Sequence, residues 1–267
     1  MHLPEKSKVA PASQDVEIPP PTYTGSSHVT RFACMSMNRA DRLRFMMFND
    51  TDIQAVRNTL STAWFKGIQE EQNYHGAHEF KLRGYPWSAQ GSEAVPSRQM
   101  MCAVFETLYN LGWVVVSATD ISKRSLDKDT TFFRYQYPAP PPCTWMSVSF
   151  NMGDRLRLIN APEEVIQSTK QAVSSMIQKD GWKEQGAYEI KFRGYPWYAT
   201  GSDTIATRMM VLRLLEVLEE NGFTLYLSID QNIGSGNNDS VSDTDSWYCR
   251  RLNSWTKGSP VYHSVPS

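Results

Sequence analysis

The sequence predicts an α+β fold made by tandem duplication of one ββαβαββ unit. We expect a mostly antiparallel sheet with helices packed on one face, and a pseudo-two-fold body. Two observations predict it: an internal repeat, and one order of strand-like and helix-like patterns within each copy. Residues 76–113 align without gaps on residues 186–223, with 17 identities in 38 positions. Average residue usage would give about two identities.

The repeat extends beyond this block. Residues 41–44 match residues 154–157, and residues 129–134 resemble residues 245–250. The chain therefore consists of two similar units of roughly 105 residues, in the size range of small domains.

The first half of each unit predicts a hairpin and a helix. Residues 32–37 and 43–48 are strand-like runs around a polar turn. Asp50 or Thr51 then suits the start of a helix, whose apolar positions recur at helical spacing: Ile53, Val56, Leu60 and Trp64.

The second half predicts a strand, a helix and a final strand pair. The strand covers residues 78–84 and the helix residues 93–111, with Ser92 as the expected N-cap. Gly112, and Gly222 in the second copy, follow the helix ends, where a left-handed residue is favoured. The last strands cover residues 113–119 and 131–136, and their counterparts cover residues 223–229 and 246–251.

Composition divides the chain into five segments. Residues 1–27 predict a disordered, proline-containing tail, because they lack hydrophobic periodicity. The first repeat covers residues 28–136 and the second residues 143–255. A proline-rich spacer, residues 137–142, separates them, and residues 256–267 predict a loose C-terminus.

Charge and hydropathy exclude several classes of protein. With 27 basic and 28 acidic residues, the net charge of −1 argues against nucleic-acid binding by bulk electrostatics. No apolar run is long enough to span a membrane, and the N-terminus does not resemble a secretory signal. The four cysteines are far apart, which is typical of free thiols. We therefore expect a soluble protein of the cytoplasm, with the nucleus also open.

The strongest candidate for a binding site is the repeated Arg-Gly-Tyr-Pro-Trp block. It contains Arg83, Tyr85 and Trp87 in the first copy and Arg193, Tyr195 and Trp197 in the second, with Arg98 and Arg208 following at matched positions. One interpretation is a structural corner that a tryptophan fills, because Gly and Pro fix an unusual backbone path. The other is a groove that the aromatic and arginine side chains line. Burial of Trp87 and Trp197 would favour the corner, and exposure would favour the groove.

The strand before this block places Glu79, Lys81 and Arg83 on one face. Glu189, Lys191 and Arg193 repeat the pattern. Cross-strand charge pairs on a solvated face are one interpretation, and a face that binds anions or peptides is the other.

Catalytic, metal and cofactor sites are not expected. The sequence has no nucleophile elbow and no phosphate-binding glycine loop. His75 and His78 have no histidine counterparts in the second copy. The repeated acids Asp41/Asp154, Asp120/Asp230 and Asp129/Asp245 fall at turns or strand ends, where aspartate commonly stabilises the backbone.

The N-terminal tail contains a partner motif. Pro20, Pro21 and Tyr23 belong to a Pro-Pro-x-Tyr sequence, which WW domains bind in an extended polyproline conformation. The leading hypothesis is thus a binding or adaptor protein of unknown ligand that recruits a WW-domain partner. An enzyme with a pocket between the repeats and a single-stranded nucleic-acid binder are the alternatives.

Overall fold

The computed structural model describes residues 30–88, 91–121, 129–183, 186–231 and 245–262. The contacts between residues divide the chain into two units, Met1–Thr30 and a compact body, Arg31–Ser267. All structural statements below concern that body.

The first repeat contains six strands and two helices. Its strands are β1 (Phe32–Asn38), β2 (Arg42–Met46), β3 (Ile68–Tyr74), β4 (Ala77–Leu82), β5 (Trp113–Thr119) and β6 (Thr130–Tyr135). Its helices are α1 (Asp50–Ala63) and α2 (Ala94–Asn110).

The second repeat contains the same elements in the same order. Its strands are β7 (Cys143–Asn151), β8 (Arg155–Ile159), β9 (Ile177–Trp182), β10 (Ala187–Phe192), β11 (Thr224–Ile229) and β12 (Ser246–Leu252). Its helices are α3 (Glu163–Ala172) and α4 (Asp203–Glu220).

Each repeat forms one six-stranded antiparallel sheet. The strand order is β3-β4-β2-β1-β6-β5 in the first sheet and β9-β10-β8-β7-β12-β11 in the second. The register is also shared, since Phe32 pairs with Arg134 and its counterpart Trp145 pairs with Arg250. The tandem α+β duplication is confirmed.

The unit is ββαββαββ, one strand longer than predicted. The additional strands are β3 and β9, which lie at a sheet edge and pair only with β4 and β10 among the described strands. β3 is mostly exposed and polar, so it lacks the alternation of apolar residues by which a strand is recognised. Polar edge strands are common because they discourage pairing with other chains.

Local sequence explains where the helices begin and end. The Asn49 side chain accepts a hydrogen bond from the Asp52 main-chain amide, and the Asp52 carboxylate accepts one from the Asn49 main-chain amide, which caps α1. α2 begins at Ala94 after a short 3-10 turn, and the expected cap Ser92 lies within that turn. Gly112 has a φ of 96°, and a Cβ there would lie 2.5 Å from the Gln136 carbonyl oxygen. Only glycine fits this position.

The body has four layers: first sheet, α1 with α2, second sheet, α3 with α4. α2 lies between the sheets, and its side chains are buried on both sides. One hydrophobic cluster joins the inner face of the first sheet to second-sheet residues, which are Cys143, Trp145, Leu227, Ile229 and Tyr248. A second cluster fills the space between the second sheet and α3 and α4.

The contact between the repeats differs from the expected pseudo-two-fold arrangement. A two-fold axis would bury α2 and α4 equally, because it brings the same surfaces of both copies together. Instead, α2 packs on β7 and β8, whereas α4 keeps large apolar side chains exposed. The repeats are stacked, and unlike surfaces meet.

Candidate functional site

Trp87 has a structural role, as the corner interpretation of the repeated block predicted. Trp87 has 0% of its surface exposed, and its indole Nε1 donates to the Arg42 carbonyl oxygen at 3.1 Å. Its main-chain amide donates to the Ala40 carbonyl, also at 3.1 Å. Trp197 makes the matching bonds to Arg155 and Gly153 and is half-buried. Each tryptophan thus holds the loop after the fourth strand of its repeat to the hairpin formed by the first two strands.

The tyrosine, arginine and tryptophan side chains of the repeated block do not line one common groove. Tyr85 and Tyr195 are 65% and 69% exposed, and Arg83 and Arg193 are exposed as well. A ligand can therefore reach the tyrosines and arginines, but not Trp87. Single-stranded nucleic-acid binding through paired rings required Tyr85 and Trp87 to be exposed together, which they are not.

In each repeat, the sheet face turned away from that repeat's own helices carries the expected cross-strand charge pairs. Glu79 is fully buried, and its carboxylate accepts hydrogen bonds from Arg42, Arg44 and Gln72. Burial raises the pKa of Glu79, but these three bonds outweigh it and hold that pKa below its usual value. Glu189 pairs in the same way with Arg155 and Arg157. These acids order the sheet face. The face was predicted to be solvated, but Glu79 is enclosed.

The four cations near β9 and β10 line a pocket of about 480 Å³; they are Arg155, Lys179, Lys183 and Lys191. Carboxylates pair with three of them, Arg155 and Lys183 through Glu189 and Lys191 through Asp154. This pairing leaves little net charge for an anionic ligand.

Arg98 lies in the interface between the repeats. It is 1% exposed; its Nε donates to the Ser246 hydroxyl at 3.0 Å and its Nη1 to the Ala94 carbonyl at 2.9 Å. Beside it, Gln231 donates to the Ser97 hydroxyl at 2.7 Å and accepts a bond from Tyr248. Burial lowers the pKa of Arg98. Arg98 therefore contributes to a buried polar network that joins the two repeats, and it cannot line an accessible groove.

Arg208, the counterpart of Arg98, is exposed on α4. Sequence alone could not separate these two arginines, because both follow the same block at the same spacing. The difference arises from the stacking of the repeats, which covers α2 and leaves α4 open.

The outer stripe of α4 is the main candidate surface. We define it by six residues at helical spacing: Ile205, Arg208, Met209, Leu212, Leu215 and Glu219. Ile205, Met209 and Leu212 are 61%, 62% and 52% exposed. The sequence interpretation missed this stripe, because an apolar stripe on a helix normally indicates core.

The corresponding stripe of α2 shows what such a surface binds. Its residues are Val95, Arg98, Gln99, Cys102, Phe105 and Tyr109, and all except Gln99 are buried. Phe105 contacts Tyr248 and Tyr109 contacts Trp145, with ring centroids 4.9 and 5.5 Å apart. The second sheet therefore covers the face of α2 that is equivalent to the outer stripe of α4.

Two of the repeated aspartates accept hydrogen bonds near strand ends. The Asp129 carboxylate accepts a bond from the Asp230 amide at 3.1 Å, and Asp245 accepts one from the Ser228 hydroxyl at 2.6 Å. Both contacts fix the backbone near strand ends. Within the part of the chain that the structure describes, no three histidine, cysteine or acidic side chains are grouped so that they could hold a metal ion.

Comparison with known proteins identifies the repeated unit. One protein-family model, which describes a single domain, matches residues 31–134 and again residues 144–250. These matches cover well over half of the 267 residues. The chain belongs to this family. It carries two copies of the family domain, and their limits agree with the two sheets. No curated protein and no solved structure matches the chain significantly.

Two other sequence predictions bear on partners. None of the described helices is long and apolar enough to cross a membrane. Pro20, Pro21 and Tyr23 of the tail motif lie outside the described residues.

Proposed function

We propose that the protein is a binding or adaptor protein whose body holds a protein partner on the outer stripe of α4. The observation that carries this proposal is the contrast between the two equivalent helices. The α2 stripe is covered by a sheet, whereas Ile205, Met209 and Leu212 of α4 are more than half exposed.

Exposure of this apolar surface is unfavourable in water, at about 25 cal/mol for each Å² left uncovered. Contiguous apolar surface on a folded protein commonly marks an interaction site. The flanking Arg208 and Glu219 are exposed and charged, and polar residues of this kind surround the apolar centre of many protein interfaces.

A photo-crosslinking amino acid at position 212 tests the proposal in cells. We expect irradiation to give adducts with the mass of an added protein chain. The matched control carries the same amino acid at position 152, because Met152 is 64% exposed but belongs to the turn between β7 and β8 and not to α4. Equal yields at the two positions, or none at position 212, would contradict the proposal.

We propose a second binding element in the tail, where Pro20, Pro21 and Tyr23 bind a WW domain. The ring of Tyr23 would fill the aromatic groove of that domain. Purified WW domains should bind the full chain and lose binding to the Tyr23→Ala variant. If both versions bind equally, the tail motif is not the ligand.

A further inference from the structure

We propose that the partner of the α4 outer stripe is a second copy of this chain, which binds through the outer face of its first sheet. This inference rests on the proposed function and names the partner. The interface would repeat, between two chains, the contact that α2 makes with the second sheet inside one chain. The α4 stripe and the outer face of the first sheet are the two surfaces that this stacking leaves uncovered by the other repeat.

The apolar positions of the internal contact have apolar counterparts on both free surfaces. Inside the chain, Val95 packs with Ile159 and Ala187. Between two chains, Ile205 would meet Met46, which is half-buried and holds the place of Ile159. Ala77, in the place of Ala187, is only 6% exposed and lies beneath this contact. Likewise, Leu215 and Phe132 take the places of Phe105 and Tyr248, whose rings meet edge to face.

One polar pair of the internal contact is replaced by an apolar pair. Gln99 donates to the Asn160 side chain at 2.9 Å. The counterpart of Gln99 is Met209, and the counterpart of Asn160 is Met47, which is 80% exposed. Met47 and Asn160 share a left-handed backbone, with φ of 67° and 55°, so they occupy the same turn. A polar pair is thus replaced by an apolar pair on both surfaces, so the two positions remain chemically compatible with each other.

The cation–π contact between Arg250 and Tyr109 inside the chain corresponds to a pair of opposite charges on the two free surfaces. The guanidinium of Arg250 lies 5.0 Å from the ring centre of Tyr109. The counterpart of Tyr109 is Glu219 and that of Arg250 is Arg134, and both are exposed. A carboxylate on one surface thus faces a guanidinium on the other.

The contact joins unlike surfaces, so each chain keeps one free surface after binding. Assembly is then head-to-tail, and it continues until it closes into a ring or extends into a filament. A two-fold dimer, in which α4 packs on α4, would behave differently.

Sedimentation velocity of the full chain tests the proposal. Over about 1 to 300 µM, a range typical of transient association, we expect the mean mass to rise beyond that of a dimer. Met209→Glu disables the helix surface and Met47→Asp the sheet surface. Each should weaken association at least about tenfold, because an unpaired charge would enter an apolar contact. Met152→Asp is the matched control, since Met152 is also exposed and left-handed, with a φ of 54°, and should associate like the unmodified chain.

An equimolar mixture of the two disabled variants gives the sharpest result. The intact α4 of Met47→Asp should bind the intact sheet of Met209→Glu, and assembly should stop at a heterodimer. A mixture that stays monomeric would overturn the proposal, as would a Met47→Asp variant that associates like the unmodified chain. A monomeric unmodified chain would also overturn it.

Failure of this inference differs from failure of the proposed function. If position 212 crosslinks to other proteins while the purified chain is monomeric, self-association is wrong and the adaptor proposal stands. If position 212 gives no adducts and the chain is monomeric, both are wrong.

Discussion

At the residue scale, the repeated Tyr-Pro-Trp sequence combines an exposed ring with a buried one. Trp87 is fully buried and bonded to Arg42, whereas Tyr85 is largely exposed. We expect Trp87→Ala to lower the free energy of unfolding by about 3–5 kcal/mol, as large buried side chains do. Tyr85→Ala should change it by less than about 0.5 kcal/mol. Urea titration of both variants measures the difference, and similar losses would contradict the corner assignment.

Glu79 makes stability depend on acid pH. Its carboxylate is bonded to Arg42, Arg44 and Gln72, which lower its pKa below the ordinary value of 4.5 in spite of burial. A lowered pKa in the folded state means that the stabilisation is complete at neutral pH. It is lost as pH falls below 4.5 and through the lowered pKa.

We expect Glu79→Gln to cost about 3 kcal/mol at pH 7, because two partly buried arginines lose their counter-ion. The cost should shrink as pH falls, since the carboxyl of the unmodified chain is then protonated too. Urea titrations from neutral to acid pH measure both values. A cost that does not change with pH would contradict the assigned role.

Sequence could predict the fixed features of single residues but not their exposure. The glycine at position 112 and the alternation of Glu79 with Phe80 follow from the repeat and from strand geometry. Whether Arg98 or Arg208 is buried depends on which helix the other repeat covers. The local sequence does not indicate which helix is covered, because the two arginines have similar neighbours.

At the scale of elements, α2 and α4 should differ in stability although they are equivalent. α2 is buried on both sides and α4 on one side. Amide hydrogens in α2 should therefore exchange more slowly at low protein concentration, because opening α2 also breaks contacts with the second sheet. Mass spectrometry of exchange over time measures this. If α4 is protected as strongly as α2 in dilute protein, its outer stripe is not free.

Elements with a clear apolar pattern were predictable, and the additional edge strands β3 and β9 were not. β5 was predicted to the residue, since Trp113 and the valines after it form a plain strand pattern. β3 has the sequence Ile-Gln-Glu-Glu-Gln-Asn-Tyr, with one apolar residue at each end. It forms by pairing with β4, a non-local contact that composition does not reveal.

At the scale of the whole molecule, the core of the first repeat is completed by the second. Trp145, Leu227, Ile229 and Tyr248 pack in the same cluster as the first sheet, α1 and α2. The two copies are therefore repeats in sequence and in fold, but they share one interior. Repeat proteins behave in this way when each unit leaves a face that only its neighbour covers.

This shared interior predicts that the body unfolds in one transition. Ile229 is fully buried at the junction, so Ile229→Ala should cost about 2–5 kcal/mol. It should also lower the urea midpoint of the first repeat and of the second together, because loss of the second sheet exposes α2. Exchange of α1 and α3 peptides at increasing urea follows the two repeats separately. Two separated midpoints, or a shift confined to α3, would show instead that each repeat folds on its own and that the stacking is only a surface contact.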